Sequence, residues 1–140
     1  MHPELAQAMA LLHADGYTCV LKRGDSLHCD RRRGVAPLLS LLDSGVDTTG
    51  GSAADKVVGK GAAMLYRLLG VARVYADVMS KPAQQALECG GIEVHYATLV
   101  DAIADRSGTG LCPMEQAALP TDDPSEALIA IRNKLAQLRQ

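Results

Sequence analysis

The sequence predicts an α/β protein in which a mixed sheet lies between two layers of helices. Two short segments at 17–22 and 26–30 flank a Gly-containing connection, which is typical of a β-hairpin. From residue 71 onward the pattern alternates strand, helix, strand and helix, and this order favours parallel strands joined by crossovers. We therefore expect a three-layer α/β/α sandwich that forms one domain over residues 1–140, because a chain of this length can bury a single core.

The elements of the N-terminal part follow from apolar spacing and from the residues that end each segment. Residues 3–14 carry apolar side chains on one helical face, and Gly16 ends this first helix before the hairpin. Residues 34–42 again repeat apolar side chains at helical spacing and stop before Gly45. A loop is expected over residues 47–51.

Residues 52–69 are predicted as one long helix that is apolar on most sides. Ser52 and Asp55 have the spacing of a capping box, with Asp in place of the usual Glu or Gln, so the helix would begin just after Gly50 and Gly51. The unpaired amides of such a helix start attract anions. Asp55 is interpreted first as a helix cap and second as an acid–base group.

The same predicted helix would carry a basic stripe. At about 100° per residue, Lys56, Lys60 and Arg67 fall on one side of it. Buried ammonium groups are costly unless they are paired. The two lysines would therefore extend to solvent, pair with carboxylates, or face a pocket that holds an anion.

The C-terminal half is predicted from turn residues and alternating patterns. Residues 71–79 indicate a strand, and Lys81 with Pro82 begins a helix that ends before Gly90. Residues 92–96 alternate as a strand does. The remaining predictions are a short helix over 98–104, a loop over 108–113, a helical turn over 113–118 and an amphipathic helix over 124–139.

Composition and charge exclude several functional classes. No apolar run approaches the ~20 residues that cross a bilayer, and residues 1–4 show no basic start of a signal peptide, so we expect a cytoplasmic protein without membrane contact. The formal net charge is −2 and the chain has no Phe or Trp. A nucleic-acid surface needs basic and aromatic side chains, so nucleic acid is not an expected partner in spite of a basic patch at 31–33.

The four cysteines do not form a metal-ligand pattern. Cys19, Cys29, Cys89 and Cys112 are scattered, without a C-x-x-C pair or a suitably spaced His. We therefore predict no metal, no disulfide framework and no other cofactor, with Cys19 and Cys29 packed in strands as small apolar side chains.

Two motifs resemble those of a known family. Residues 54–60 (ADKVVGK) and 110–115 (GLCPME), with the order of the elements, are similar to an uncharacterised family, a domain of unknown function with a cytidine-deaminase-like fold. Zinc deaminases carry a His or Cys ligand with a Glu two residues on, and two Cys at the start of the next crossover helix. This chain has neither, since Cys89 lies at the far end of that helix. The resemblance thus implies the fold without zinc-dependent deamination.

The resemblance also implies where a ligand would bind. The N-termini of the two crossover helices meet beyond the carboxyl ends of the strands, and amides and lysines there suit phosphate or carboxylate. We therefore expect a nucleotide-like or other anionic metabolite as the ligand. The predicted ligand-binding residues are Gly50, Gly51, Ser52, Asp55, Lys56, Lys60, Ser80 and Lys81.

Two alternatives remain open. Cys112 comes just before a proline, and if that proline begins a helix, the helix start would favour the thiolate, which could act as a metal-independent nucleophile with His95 as its base. Asp55 and Asp77 are the candidate catalytic carboxylates, Asp77 because it lies near a strand end. The other alternative is a scaffold built as a homo-oligomer, with the helix over 124–139 as the interface.

Overall fold

The structure is a mixed five-stranded sheet with helices on both faces. The computed structural model describes residues 1–105 and 107–139. The elements in chain order are α1 (Pro3–Ala14), β1 (Cys19–Arg23), β2 (Ser26–Asp30), α2 (Ala36–Ser44), β3 (Ser52–Val58), α3 (Lys60–Leu69), β4 (Arg73–Ser80), α4 (Lys81–Cys89), β5 (Glu93–Val100), α5 (Pro113–Ala118) and α6 (Pro124–Leu138).

The order of the strands across the sheet is β2-β1-β3-β4-β5. β1 pairs antiparallel with both β2 and β3, whereas β3, β4 and β5 are parallel. The helices α3 and α4 lie in the connections between these parallel neighbours, because parallel strands need a crossover. The predicted α/β class with a hairpin and a parallel half is confirmed.

Two separate cores hold the layers together. On one face, α1 packs Leu5 and Leu12 against side chains of β1, β3 and β4, among them Val20, Ala54 and Tyr75. The other face carries the larger core, in which α3 contacts α2, α4, α5 and α6. The central position of α3 explains why nearly all of its side chains are buried. None of the described helices has the length and apolar character that crossing a membrane requires.

The prediction of one helix over residues 52–69 was wrong. Residues 52–58 form β3, the middle strand of the sheet, and α3 begins only at Lys60, after Gly59 in extended conformation. The first four residues of β3 are all buried. A strand covered on both faces shows no alternation, so periodicity alone does not distinguish it from a buried helix.

The capping-box interpretation of Ser52 and Asp55 was therefore wrong as well. Both residues lie in β3, where the Ser52 hydroxyl donates to Glu4 Oε1 at 3.0 Å and Asp55 faces the core. The basic stripe does not exist as predicted. Lys56 is on the strand, and only Lys60 and Arg67 are on α3.

The short helix predicted over residues 98–104 was also wrong. β5 continues to Val100 and pairs with β4 through Thr98 opposite Val78 and Val100 opposite Ser80. β5 is an edge strand, and the residues in its middle are exposed. Its polar and apolar residues therefore do not alternate strictly, and the sequence pattern is similar to that of an amphipathic helix. The other predicted helices agree with the structure to within two residues at each end.

The terminal helix α6 packs on its own domain. Ala127 and Ile131 are fully buried against the larger core, while Ile129 on the outer side is 61% exposed. The role of this helix as an interface between copies of the chain stays a prediction.

Candidate functional site

The starts of α3 and α4 meet beyond the carboxyl ends of β3 and β4, and one carboxylate occupies the space between them. The Lys60 amide donates to Glu115 Oε2 at 2.5 Å, and the Ser80 hydroxyl donates to the same oxygen at 2.8 Å. The other oxygen, Oε1, accepts from the Ile103 amide at 2.8 Å. We call these three donors the carboxylate cradle. Glu115 is 1% exposed, so the chain itself fills the position at which a ligand was predicted.

Two glycines allow α5 to approach the start of α3 so closely. A Cβ atom at Gly59 would lie 2.6 Å from Glu115 Oε2, and one at Gly61 would lie 2.8 Å from the carbonyl oxygen of Met114. Both distances are shorter than side chains tolerate. The two sequence motifs, 54–60 and 110–115, are therefore in contact. Gly59 and Lys60 at the end of the first motif lie against Glu115 at the end of the second.

The predicted ligand-binding residues do not gather in one pocket. Gly50, Gly51 and Ser52 lie at the start of β3, and the cradle lies beyond its end, a separation of about 20 Å along the strand. The Gly50 amide donates to the Gly70 carbonyl at 2.8 Å, and Ser52 Oγ accepts from Arg73 at 2.9 Å. These groups hold the fold together at that end of the sheet.

The three predicted lysines have different surroundings. The Lys60 ammonium reaches past α5 and donates to the Leu119 carbonyl at 3.0 Å. This hydrogen bond gives the charged group a partner although Lys60 is only 8% exposed. Lys81 pairs with Asp101 at 2.8 Å on the surface. Lys56 is exposed on β3. No common anion site is formed by these three side chains.

Asp55 lies in a buried polar chain within the larger core. The Tyr66 hydroxyl donates to Asp55 Oδ2 at 2.6 Å and lies 3.4 Å from the Cys19 thiol. Burial raises the pKa of Asp55 to about 7, although the hydrogen bond from Tyr66 opposes this, and burial also raises the pKa of Cys19 and of Tyr66 well above their usual values. The role of Asp55 as a catalytic group stays a prediction, but its side chain lies among core residues.

Asp77 lies within β4, on the side covered by α1. Its Oδ1 accepts from the Tyr75 hydroxyl at 2.7 Å and is 2.7 Å from His13 Nε2. Partial burial raises the pKa of Asp77, yet the hydrogen bonds from Tyr75 and His13 outweigh it and bring the pKa below its usual value. His95, the predicted base for a cysteine, has its Nε2 2.7 Å from Glu93 Oε2 on the same edge strand.

A cleft of about 950 Å³ opens between α2, α6 and the residues just before α5. Four arginines and only two aspartates are among its described lining residues, and its floor is apolar. We call it the arginine cleft. Its charged lining consists of Arg32, Arg33, Arg132, Arg139, Asp43 and Asp105, and its apolar lining includes Val35, Leu39, Met114 and Leu135.

Two of these arginines are held in place by carboxylates. Arg32 pairs with Asp30 at 2.6 Å, and Arg132 pairs with Asp43 at 2.8 Å. Over the part of the chain that the structure describes, no ion pair engages Arg33. The cleft therefore presents guanidinium groups whose orientation is partly fixed and which remain exposed to an incoming anion.

Cys112 also lines the arginine cleft. It is the N-cap of α5, as predicted, and its thiol makes no capping hydrogen bond. No histidine is among the described residues of the cleft. The described part of the cleft thus offers a half-buried thiol without the imidazole base that was predicted for it.

Sequence reasoning did not identify the cradle or the cleft. The Gly-Lys-Gly at 59–61 was a usable signal, since two glycines around a helix start indicate a close approach by another segment. The arginines at 31–33 were recognised only as a basic patch. The other two arginines of the cleft, Arg132 and Arg139, lie about one hundred residues further along the chain, and no local pattern shows that the two segments meet.

The fold and the site together define a small α/β sandwich domain in which the starts of two crossover helices hold a carboxylate of the same chain. The chain belongs to the TM1506 family, a domain of unknown function (DUF1893), whose family model matches residues 7–135. A crystal structure of a DUF1893 family protein from Thermotoga maritima has 26% sequence identity and a TM-score of 0.84. The match covers 98% of this chain and 92% of that one.

A second solved structure is similar over part of the chain only. It is a diaminohydroxyphosphoribosylaminopyrimidine deaminase/5-amino-6-(5-phosphoribosylamino)uracil reductase from Thermotoga maritima, with 14% identity and a TM-score of 0.43. The match covers 66% of this chain and 35% of that one, and the likeness is too weak to add to the assignment. No curated protein matches the chain.

Proposed function

We propose that this protein binds a small anionic molecule, such as a nucleotide, in the arginine cleft. The observation that carries the proposal is the convergence of four arginines around a cleft with an apolar floor. Guanidinium groups match phosphate and carboxylate with paired hydrogen bonds. An apolar floor next to a few charged groups is the usual composition of a small-molecule site, and it would take the ring of a nucleotide-like ligand.

The position of Glu115 favours this cleft over the site predicted at the helix starts. The three donors of the cradle already bond a carboxylate that is 1% exposed, so an external anion there would have to displace α5. The arginine cleft is open in the structure, so an anion can enter it without displacing a helix.

Metal-dependent deamination is not part of the proposal. Within residues 1–105 and 107–139, no three His, Cys, Asp or Glu side chains come together so that they could hold a metal ion. A catalytic zinc normally takes three protein ligands. The proposal therefore rests on the cleft arginines and gives no role to a metal ion.

The proposal predicts that nucleotides and other anions raise the melting temperature and that the cleft arginines are required. A ligand at about 100 times its dissociation constant adds about 2.7 kcal/mol to the free energy of unfolding. We expect Arg33→Ala/Arg132→Ala to weaken binding by at least about tenfold, because charge-assisted hydrogen bonds are worth about 1.5–3 kcal/mol each. The measurement is a thermal-shift screen with ADP, AMP, inorganic phosphate, citrate and Zn²⁺, followed by titration calorimetry of the best ligand.

The matched control is Arg23→Ala/Arg31→Ala, which removes the same charge outside the cleft. Arg23 pairs with Asp47, and Arg31 stacks on the Tyr17 ring at 4.2 Å. This variant should bind as the parent does. Equal weakening in both double variants would mean that total charge, and not the cleft, determines binding, and the proposal would fail.

A bound ligand should also protect Cys112 from alkylation. The thiol lines the cleft, whereas Cys29 and Cys89 are exposed elsewhere and would obscure the result. In Cys29→Ser/Cys89→Ser protein, we expect the ligand to lower the rate at which iodoacetamide modifies Cys112. The decrease should be proportional to the fraction of sites that are occupied. Mass spectrometry of the Cys112 peptide measures this. An unchanged rate at saturating ligand would show that the ligand binds outside the cleft.

A further inference from the structure

We infer that the carboxylate cradle is a binding site for carboxylates, of which the side chain of Glu115 is the built-in ligand. A small carboxylate such as acetate should therefore bind there from solution once that side chain is removed. The inference concerns the starts of α3 and α4 and rests on contacts that the arginine cleft does not share.

Each oxygen of the bound carboxylate has donors of its own. Oε2 accepts from the Lys60 amide and the Ser80 hydroxyl, and Oε1 accepts from the Ile103 amide. Among the described residues, no cationic side chain bonds Glu115, since the Lys60 ammonium is directed to Leu119 and Asp122. Neutral donors at two helix starts hold the negative charge, as they do in anion sites that are built from backbone amides.

The donors are positioned by the fold and not by Glu115. Ser80 is fully buried and caps α4, where its Oγ accepts from the Ala83 amide at 3.2 Å, so the hydroxyl proton is left to point into the cradle. The Lys60 amide is fixed by the first turn of α3. Gly59 keeps the space clear, because a Cβ atom there would lie 2.6 Å from Oε2. The cradle should therefore persist when its occupant is removed.

The test is recovery of a truncated variant by acetate. Glu115→Ala removes one methylene and the carboxylate, which together have nearly the size of acetate. We expect this variant to melt at a lower temperature than the parent, and acetate to raise its melting temperature in a saturable way and by more than it raises that of the parent. Chloride at equal ionic strength controls for salt, and trimethylacetate, which is too large for the space, should not stabilise the variant more than the parent.

Two further variants identify the cradle as the binding position. Ser80→Ala added to Glu115→Ala removes one donor and should reduce the acetate response. Glu115→Gln keeps the space filled but presents an amide N–H₂ to a donor, so it should be destabilised without responding to acetate. If Glu115→Ala does not fold alone, the recovery of folded protein after dilution from urea into acetate or into chloride replaces the melting temperature.

An acetate response that is equal in the parent and in Glu115→Ala, or absent from the variant in both measurements, would overturn the inference. Acetate bound by the cleft arginines would act on the parent and on the variant alike, so this failure would leave the proposed function standing. Conversely, loss of anion binding in Arg33→Ala/Arg132→Ala has no bearing on the acetate response.

Discussion

Replacing Asp55 by asparagine should remove a large pH dependence from the free energy of unfolding. Asp55 is buried, and its carboxyl group has a pKa of about 7 in the folded protein against an ordinary value of 3.8. The folded state therefore keeps a proton between these two pH values that the unfolded state has released. The free energy of unfolding must therefore fall as pH rises through this window. Outside the window, Asp55 adds no pH dependence.

The expected effect is large because the shift in pKa is large. At 1.36 kcal/mol per unit, a shift of about three units amounts to about 4 kcal/mol as an upper figure. The parent should therefore lose stability relative to Asp55→Asn by up to about this amount as pH rises from about 4 to about 7. Asparagine can still accept a hydrogen bond from Tyr66, so the buried hydroxyl keeps a partner. Urea unfolding of both proteins at half-unit pH steps measures the difference.

A neighbouring carboxylate provides a control that has the opposite sign at lower pH. Asp77 lies on the adjacent strand, and hydrogen bonds from Tyr75 and His13 hold its pKa below the usual value. A group whose pKa is lowered by folding stabilises the protein at higher pH and loses that contribution as pH falls. Asp77→Asn should thus change the pH profile in the opposite direction, but only below about pH 4. Between about pH 4 and 7 it should act in the same direction as Asp55→Asn and more weakly, because the charge of Asp77 contributes to the raised pKa of Asp55. Superimposable profiles for the parent and Asp55→Asn would show that Asp55 does not titrate in this range.

Local patterns predicted most of those parts of the fold that end at turn residues or have one face in water. The hairpin, β4, α4 and α6 all have turn residues at their ends or a polar side that sets the period, and each was predicted close to its observed place. The central strand β3 also lies between glycines, but it has no polar side that sets a period. Ser52, Ala53, Ala54 and Asp55 are all buried, so apolar and polar residues follow one another without a period. The identity of such a segment is decided by its neighbours in the sheet, which the sequence does not display.

The site escaped prediction for a related reason. Both sides of the cradle lie in motifs that the sequence made visible, but the contact between Lys60 and Glu115 joins positions 55 residues apart. The resemblance predicted a site at two helix starts, but the first of these starts was placed at residue 52 and not at Lys60. It did not indicate that a carboxylate from α5 already lies between them, because a glutamate near a proline has many ordinary explanations on a helix. Only the packing of α5 against Gly59 and Gly61 distinguishes this glutamate from others.

Gly61→Ala should destabilise the protein although alanine is the better helix former. In an isolated helix this change would gain about 1 kcal/mol. Here the new Cβ atom would lie 2.8 Å from the carbonyl oxygen of Met114, which is backbone and does not rotate away. To relieve the contact, α5 must move from α3, and overpacking of this kind costs about 1–3 kcal/mol. After the gain in helix propensity is subtracted, we expect a net loss of up to about 2 kcal/mol, seen as a lower urea midpoint at unchanged slope.

Gly90→Ala is the matched control for this argument. It adds the same methyl group at the end of α4, where the Cβ atom would lie 2.8 Å from Arg67 Nε, 2.9 Å from its Cγ and 3.0 Å from its Cδ. These atoms belong to a long side chain that can choose another rotamer, so the close contact is relieved at little cost, and we expect a change within about 0.5 kcal/mol. A loss of stability confined to Gly61→Ala would show that the backbone of α5, and not crowding in general, sets the requirement for glycine. Equal losses in both variants, or a gain in Gly61→Ala, would mean that α5 is not held against α3 as described, and the cradle would then lack the wall that carries Glu115.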